Sequence, residues 1–185
     1  MKLKVIAILI VIVFMFLLVI LNTENRNDTR QKLGEDFLLD YYSVSDDEVK
    51  QFENYLFSFP KTIDSELTPD TGIVIATVSE YEIEINEKYS RYLDAKEINR
   101  LMMNRLLNDP VNYAFSNNCT LDVSNVEITV YEEHNDYTIY KYSVSINSTS
   151  ETGDNLDNIT QSGILKIENV NETPLIVLTD ITHLK

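Results

Sequence analysis

Residues 126–146, VEITVYEEHNDYTIYKYSVSI, decide the fold. Val126, Ile128 and Val130 alternate with Glu127, Thr129 and Tyr131. Tyr140, Tyr142, Val144 and Ile146 then alternate with Lys141, Ser143 and Ser145. A period of two puts one set on a buried face and the other in solvent, which is a half-buried strand. The polar break Glu133-His134-Asn135-Asp136 joins the two runs as a hairpin. Tyr131 faces outward by this alternation and is a candidate contact for a protein partner.

Working outward, the same period continues toward the C-terminus. Thr149 to Asn158 is a polar loop containing Gly153. Ile159 to Val170 reads as a third strand, with Leu165 and Ile167 on one face. Asn171-Glu172-Thr173-Pro174 turns the chain. Leu175 to Leu184 reads as a fourth strand, with Leu175, Val177, Thr179 and Ile181 on one side.

Toward the N-terminus the period becomes helical. Phe37, Leu38, Tyr41 and Tyr42 make one stripe. Ser45-Asp46-Asp47-Glu48 is a capping box, followed by Val49, Phe52, Leu56 and Phe59 at helical steps. The acids Asp46, Asp47 and Glu48 are explained by that first turn and its dipole. Pro60 stops this helix, and Lys61 to Gly72 is a loop. From Ile73 to Tyr92 a short alternation, Glu82-Ile83-Glu84-Ile85, competes with a longer pattern. Val74, Val78, Tyr81, Ile85, Tyr89 and Tyr92 recur in steps of three and four, which predicts a helix. Asp94-Ala95-Lys96-Glu97 is a second capping box, opening a helix whose apolar face is Ile98, Leu101, Met102 and Leu106. Asp109-Pro110 is expected to end it, and Val111 to Phe115 is a candidate strand. Helices first and an antiparallel meander after them give an α+β class, with the helices covering one face of the sheet.

The N-terminus carries a different signal. Val5 to Leu21 is seventeen apolar residues without charge, Gly or Pro, with Val5, Leu9, Phe14, Leu18 and Leu21 spaced along it. At about 1.5 Å per residue the run is roughly 25 Å of helix, enough for a hydrocarbon core with slight thinning. No small-x-small cleavage site follows, so an uncleaved anchor is expected. Lys2 and Lys4 place the short tail in the cytoplasm and the rest outside. The expected organisation is a tail, 1–4; an anchor, 5–21; a polar stalk, 22–33; and an extracytoplasmic domain, 34–185. Scarce Ala and Gly with abundant Asn, Ile, Lys and Tyr fit an AT-rich bacterial coding bias, hence a bacterial plasma membrane.

Removing Lys2 and Lys4 leaves 13 basic against 30 acidic residues, a net of −17. Such a surface repels phosphate backbones, so direct nucleic-acid binding is not expected. Cys119 is the one cysteine and can form no internal bridge; its neighbours suit a small, inert side chain. His134 falls in a turn and His183 near the C-terminus, and both are expected in solvent. A zinc site needs several converging N or S ligands, so no metal is expected. Gly153-Asp154-Asn155-Leu156-Asp157-Asn158 lacks the order of a calcium loop. No nucleophile elbow, phosphate loop or dinucleotide fingerprint occurs, so neither a catalytic residue nor a cofactor is expected. The eleven tyrosines are the unusual resource. Tyr140 and Tyr142, with Met102 above them, form either ordinary core or the wall of a pocket.

The stretches DFLLDYYSVSDDEVKQFENYL, AKEINRLMMNRLLNDPVNYAF, VEITVYEEHNDYTIYKYSVSI, GILKIENV and PLIVLTDI carry a resemblance. In order and spacing they resemble membrane-anchored bacterial proteins of the nuclear transport factor 2-like fold. That fold is a cystatin-like roll, with about three helices on a curved antiparallel sheet of about four strands. Within it, the chain is similar to the one-span scaffold subunits of type IV secretion and Gram-positive conjugation machines. Those subunits often carry Asn-Pro-x-Gly before the last strand; here Asn171 and Pro174 are separated and the Gly is absent. The resemblance implies a non-catalytic scaffold whose partners are the lipid bilayer, other envelope subunits and further copies of itself. The alternative is an anchored surface module that binds a small ligand under the sheet. An isomerase-like or dehydratase-like enzyme on the same fold ranks last, because no acid lies on the inward face of the second strand.

Overall fold

A computed structural model describes residues 28–58 and 80–184. The anchor at 5–21, the loop at 61–72, Phe59, and Val74 and Val78 of the predicted helix lie outside the described residues. Among the described residues no helix is long and apolar enough to cross a membrane.

Five helices pack on a curved, open, four-stranded antiparallel sheet. The helices are α1 (28–42), α2 (Asp46–Ser58), α3 (Glu80–Ser90), α4 (Ala95–Met103) and α5 (Asp109–Asn117). The strands are β1 (Cys119–Glu133), β2 (Tyr137–Ser150), β3 (Asn155–Val170) and β4 (Thr173–Thr179), paired in sequence order.

The β1–β2 hairpin forms as the alternation requires. On β2, Tyr140, Tyr142, Val144, Ile146 and Ser148 are all buried, an unbroken inward face. Leu165 and Ile167 of β3 are completely buried beside them. The neighbouring strands keep this face only by changing phase. In β1 the pairing skips Ser124, so Cys119 and Leu121 face inward before the bulge and Ile128 after it. A bulge inserts one unpaired residue and so moves the next side chains to the opposite face. In β4 the pairing skips Val177. Ile176 is therefore the core residue of the first half and Thr179 of the second. This corrects the expected face: Leu175 and Val177 are only half buried, and the strand ends at Thr179 rather than Leu184. Asn171 and Glu172, both at positive φ (50° and 69°), form the tight β3–β4 turn. Two left-handed central residues suit the twist of a hairpin. Pro174 sits in β4 at the sheet edge, where a missing N–H is tolerated.

Helix α1 lies across the inward face. Phe37, Leu38, Tyr41 and Tyr42 are all buried, as their stripe predicts. Gly34 allows the close approach: a Cβ there would lie 2.7 Å from Ile128 Cδ1 and 3.2 Å from Leu165 Cδ1. Residues 28–33, expected as stalk, belong to this helix, and Arg30 is only 3% exposed. Arg30 donates to the Thr138 hydroxyl at 2.9 Å and to the Asp136 carbonyl at 3.2 Å. Its aliphatic stem and fork therefore dock α1 on the β1–β2 hairpin, and the folded domain starts before residue 34.

The capping boxes differ. At α2 the box is reciprocal: Ser45 N–H donates to Glu48 Oε2 at 2.9 Å, and Glu48 N–H to Ser45 Oγ at 3.4 Å. At α4 only half forms. Asp94 accepts from Glu97 N–H at 2.7 Å, but the Glu97 carboxylate turns inward. There it accepts from Thr179 N–H at 2.6 Å, from the Thr179 hydroxyl at 2.9 Å, and from Arg100. A buried carboxylate surrounded by donors is tolerated because its lone pairs are filled. It ties α4 to the end of β4.

The region after α4 corrects a second expectation. Asp109-Pro110 opens a helix, α5, instead of closing one, and Val111 to Phe115 is helical rather than a strand. Proline fits the first helical turn, where no N–H partner exists, and Asp109 meets the positive end of the dipole. Both sheet edges are partly closed by connectors. Val44 exchanges hydrogen bonds with Leu121 of β1 at 2.9 and 3.0 Å. On the other edge Asp94 N–H donates to Ile176, and Ile176 N–H to Tyr92, at 3.1 and 2.8 Å. Covering an edge in this way removes part of a template for strand addition.

Candidate functional site

Among the described residues, the predicted tyrosines of the inward sheet face are closed off from solvent. Tyr140 and Tyr142 are buried core, and the Tyr142 hydroxyl donates to the Asp180 carbonyl at 3.2 Å. Aromatic rings complete the layer above. Tyr41 stands edge-on to Tyr42 with centroids 4.7 Å apart, and its hydroxyl donates to the Leu106 carbonyl at 2.6 Å. Burial first, then the neighbouring tyrosines, pushes the Tyr41 hydroxyl well up; burial and the contact with Tyr142 do the same for Tyr42.

A concavity lies among the helices. A groove of about 540 Å³ opens between α2, α3, the end of α4 and the start of α5. This is within the usual range for ligand pockets, roughly 300–1,000 Å³. Phe52, Leu56, Ile85 and Met102 give it an apolar wall. The wall is stiffened by stacking: Tyr55 and Tyr81 lie 4.6 Å apart at 26°, and Phe52 meets Phe115 edge-on at 5.9 Å. Burial, followed by the Glu82 carboxylate, pushes the Tyr55 hydroxyl up, and it donates to Glu82 at 3.4 Å. Met102, predicted as pocket or core, is 36% exposed and lines this groove rather than the sheet face. Leu56, read as part of the buried stripe of α2, is 39% exposed here, and Met103 beside Met102 is 86% exposed.

The polar rim comes from residues distant in sequence. Arg105 sits at φ 57°, the left-handed residue that ends α4. Its N–H donates to Met102 and that of Leu106 to Leu101, at 2.9 and 2.8 Å, the paired bonds of a Schellman motif. Glycine is usual there, and an arginine puts a guanidinium at the groove mouth at some backbone cost. Asp109, buried in the first turn of α5, accepts from Leu184 N–H at 2.7 Å and bonds His183 Nδ1 at 2.5 Å. The His183 side chain is exposed, as expected, and is held at the groove rim by Asp109.

An aspartate fixing an imidazole at one nitrogen leaves the other for hydrogen bonding or proton exchange. Among the described residues, the groove lining contains no Ser, Thr or Cys to act as a nucleophile for that pair. Cys119 is buried at the start of β1, where burial pushes its thiol up and away from reactivity. Among the described residues no group of three or more His, Cys, Asp or Glu could hold a metal ion. The arrangement is equipped to bind: an aromatic and thioether wall, a cation at Arg105, and amides at Asn108 and Asn112.

Tyr131 is 53% exposed, at the residue that the β1–β2 pairing skips, and Lys141 Nζ lies over its ring at 3.9 Å. The groove and Tyr131 are separate features. Sequence reasoning missed Arg105, Asp109 and His183 as a set. The Asp109-Pro110 pair was the one usable signal, since the same dipeptide that stops a helix also starts one. No protein-family model matches the chain, and no curated protein or solved structure matches it either.

Proposed function

We propose that this chain is a non-catalytic, membrane-anchored interaction module whose helical groove receives a protein partner in the bacterial envelope. The observation that carries the reading is the contrast in burial within one apolar surface. Leu56 and Met102 stand 39% and 36% exposed in a concave wall, with Met103, 86% exposed, next to Met102 in sequence, while the aromatic face beneath α1 is closed. Clustered exposed apolar residues mark contact surfaces, and Met adapts to irregular partners. The seventeen-residue apolar run at 5–21 and the lysines before it support the anchor and its orientation. A tether to one plane raises the effective concentration of like-anchored partners, so a modest contact suffices. The order of helices before a curved antiparallel sheet supports the nuclear transport factor 2-like reading, and with it a scaffold role in type IV secretion or conjugative transfer. Further copies of the chain are the second class of partner.

A photocrosslinking residue at Met103, compared with one at Leu156 in β3, tests this in intact membranes. A discrete adduct from Met103 and none from Leu156 is expected. Equal labelling at both, or none at either, would remove the groove from the interface.

The groove volume and its rim of Arg105, Asn108 and Asn112 also favour a second reading, an anchored module for a small anionic or amide-bearing ligand. A thermal shift of the full chain with such compounds, lost in Arg105→Ala, would select it.

A further inference from the structure

We infer that the β1–β2 hairpin end of the sheet is the membrane-proximal end, and that Tyr131 and Tyr137 rest in the lipid headgroup layer. This rests on the anchor reading above and adds to it an orientation and a contact surface.

Chain length supplies the constraint. Between Leu21, the last residue of the apolar run, and Asp28, the first described residue of α1, lie only residues 22–27. Seven extended steps span at most about 25 Å. Asp28 is half a turn from Arg30, whose guanidinium is fixed to Thr138 and Asp136 at the hairpin. The hairpin therefore cannot stand far from the outer leaflet. The opposite end of the sheet, at the β2–β3 turn, is distant: β2 runs from Tyr137 to Ser150, about 40 Å at the usual rise.

The chemistry of the hairpin end fits a headgroup layer. Tyr131 carries Lys141 Nζ over its ring at 3.9 Å, and Tyr137 carries Lys166 Nζ at 4.1 Å. His134 also packs on Tyr137, with ring centroids 4.3 Å apart. Tyrosine next to lysine is the usual equipment of a membrane interface, where the ring sits among the glycerol groups and the ammonium meets phosphate. Glu132, Glu133 and Asp136 lie on the same turn, and Glu168 pairs with Lys166. This mixture of signs suits a zwitterionic layer and gives no net attraction to an anionic one. The far end presents Glu151, Asp154 and Asp157 around an exposed turn.

The chain contains no tryptophan, so one introduced residue reports its own position. Full-length Tyr131→Trp, Tyr137→Trp and Leu156→Trp are placed in phosphatidylcholine vesicles that carry a headgroup-dansylated lipid. Leu156, 52% exposed in the first turn of β3, marks the far end. Energy transfer to dansyl is expected to be severalfold greater from positions 131 and 137 than from 156. Transfer from 156 that equals or exceeds the others overturns the orientation while leaving the anchor intact. Failure of the wild-type chain to float with the vesicles overturns both. Adding phosphatidylglycerol should leave the transfer from 131 unchanged; a rise would replace the zwitterionic contact with charge-driven adhesion.

Discussion

The face beneath α1 and the groove between the helices are built from the same materials and end differently. Under α1, Phe37, Tyr41, Tyr42, Tyr140 and Tyr142 meet an uninterrupted strand face and are completely enclosed. In the groove, Tyr55, Leu56 and Met102 line a meeting of helices around the buried Phe52, and the wall stays half open. A sheet offers a broad continuous surface that one helix can seal. Short helices meeting at their ends leave a concavity. Aromatic content alone therefore says little about whether a face is core or contact surface.

The largest perturbation should fall on the closed face. Phe37→Ala removes a fully buried ring that meets Tyr41, Tyr89 and Tyr92. It should cost about 3–5 kcal/mol in urea unfolding. Truncating Leu56 should cost far less, and equal losses would erase the contrast.

Alkaline pH attacks the same face. Burial first pushes Tyr92 and Tyr142 up to about 12, helped at Tyr92 by the bond to the Asp40 carboxylate and opposed at Tyr142 by the bond with Tyr42, and burial raises Tyr41, Tyr42 and Tyr89 as well. The unfolded chain loses these protons near pH 10 and the folded chain later, so the unfolded state binds fewer protons in between. Stability should be unaffected by these groups below about pH 10 and decline as pH rises toward 12. A flat profile in pH-dependent denaturation would mean the hydroxyls are not enclosed.

The boundary between the two regions is the C-terminal segment. A Cβ at Gly163 would collide with the Asp180 carbonyl. Gly163→Val should cost about 1–3 kcal/mol. It should also loosen the contact of His183 and Leu184 with Asp109, read as faster exchange of the Leu184 amide.

These contrasts were unequally legible. The inward face of β2 could be read directly, because Tyr140 to Ile146 alternate without interruption. The phases of β1 and β4 could not. A bulge at Ser124 or Val177 has no residue signature, and one inserted residue inverts every later assignment. Asp109-Pro110, read as the end of a helix, begins one, because a proline that cannot continue a helix fits the first turn of the next. The groove was hidden for a different reason. Its wall and rim join α2, α3, α4, α5 and His183, and local periodicity is blind to such meetings.

Two smaller effects sharpen the groove side. Arg105→Gly relieves a left-handed arginine and should stabilise by about 1 kcal/mol. It would also remove the cation from the rim, so stability and binding should move in opposite directions. Met103→Lys, at a side chain 86% exposed, should change stability by no more than about 0.5 kcal/mol.

That last variant gives the most direct test of the interaction reading. The full chain, extracted from membranes in mild detergent, is sized against its Met103→Lys form by light scattering. We expect the wild type in an assembly well above the 21.4 kDa chain, and the variant reduced to a single copy with unchanged thermal unfolding. A wild-type protein already present as a single copy, or an assembly indifferent to Met103→Lys, would contradict the helical groove as a docking surface.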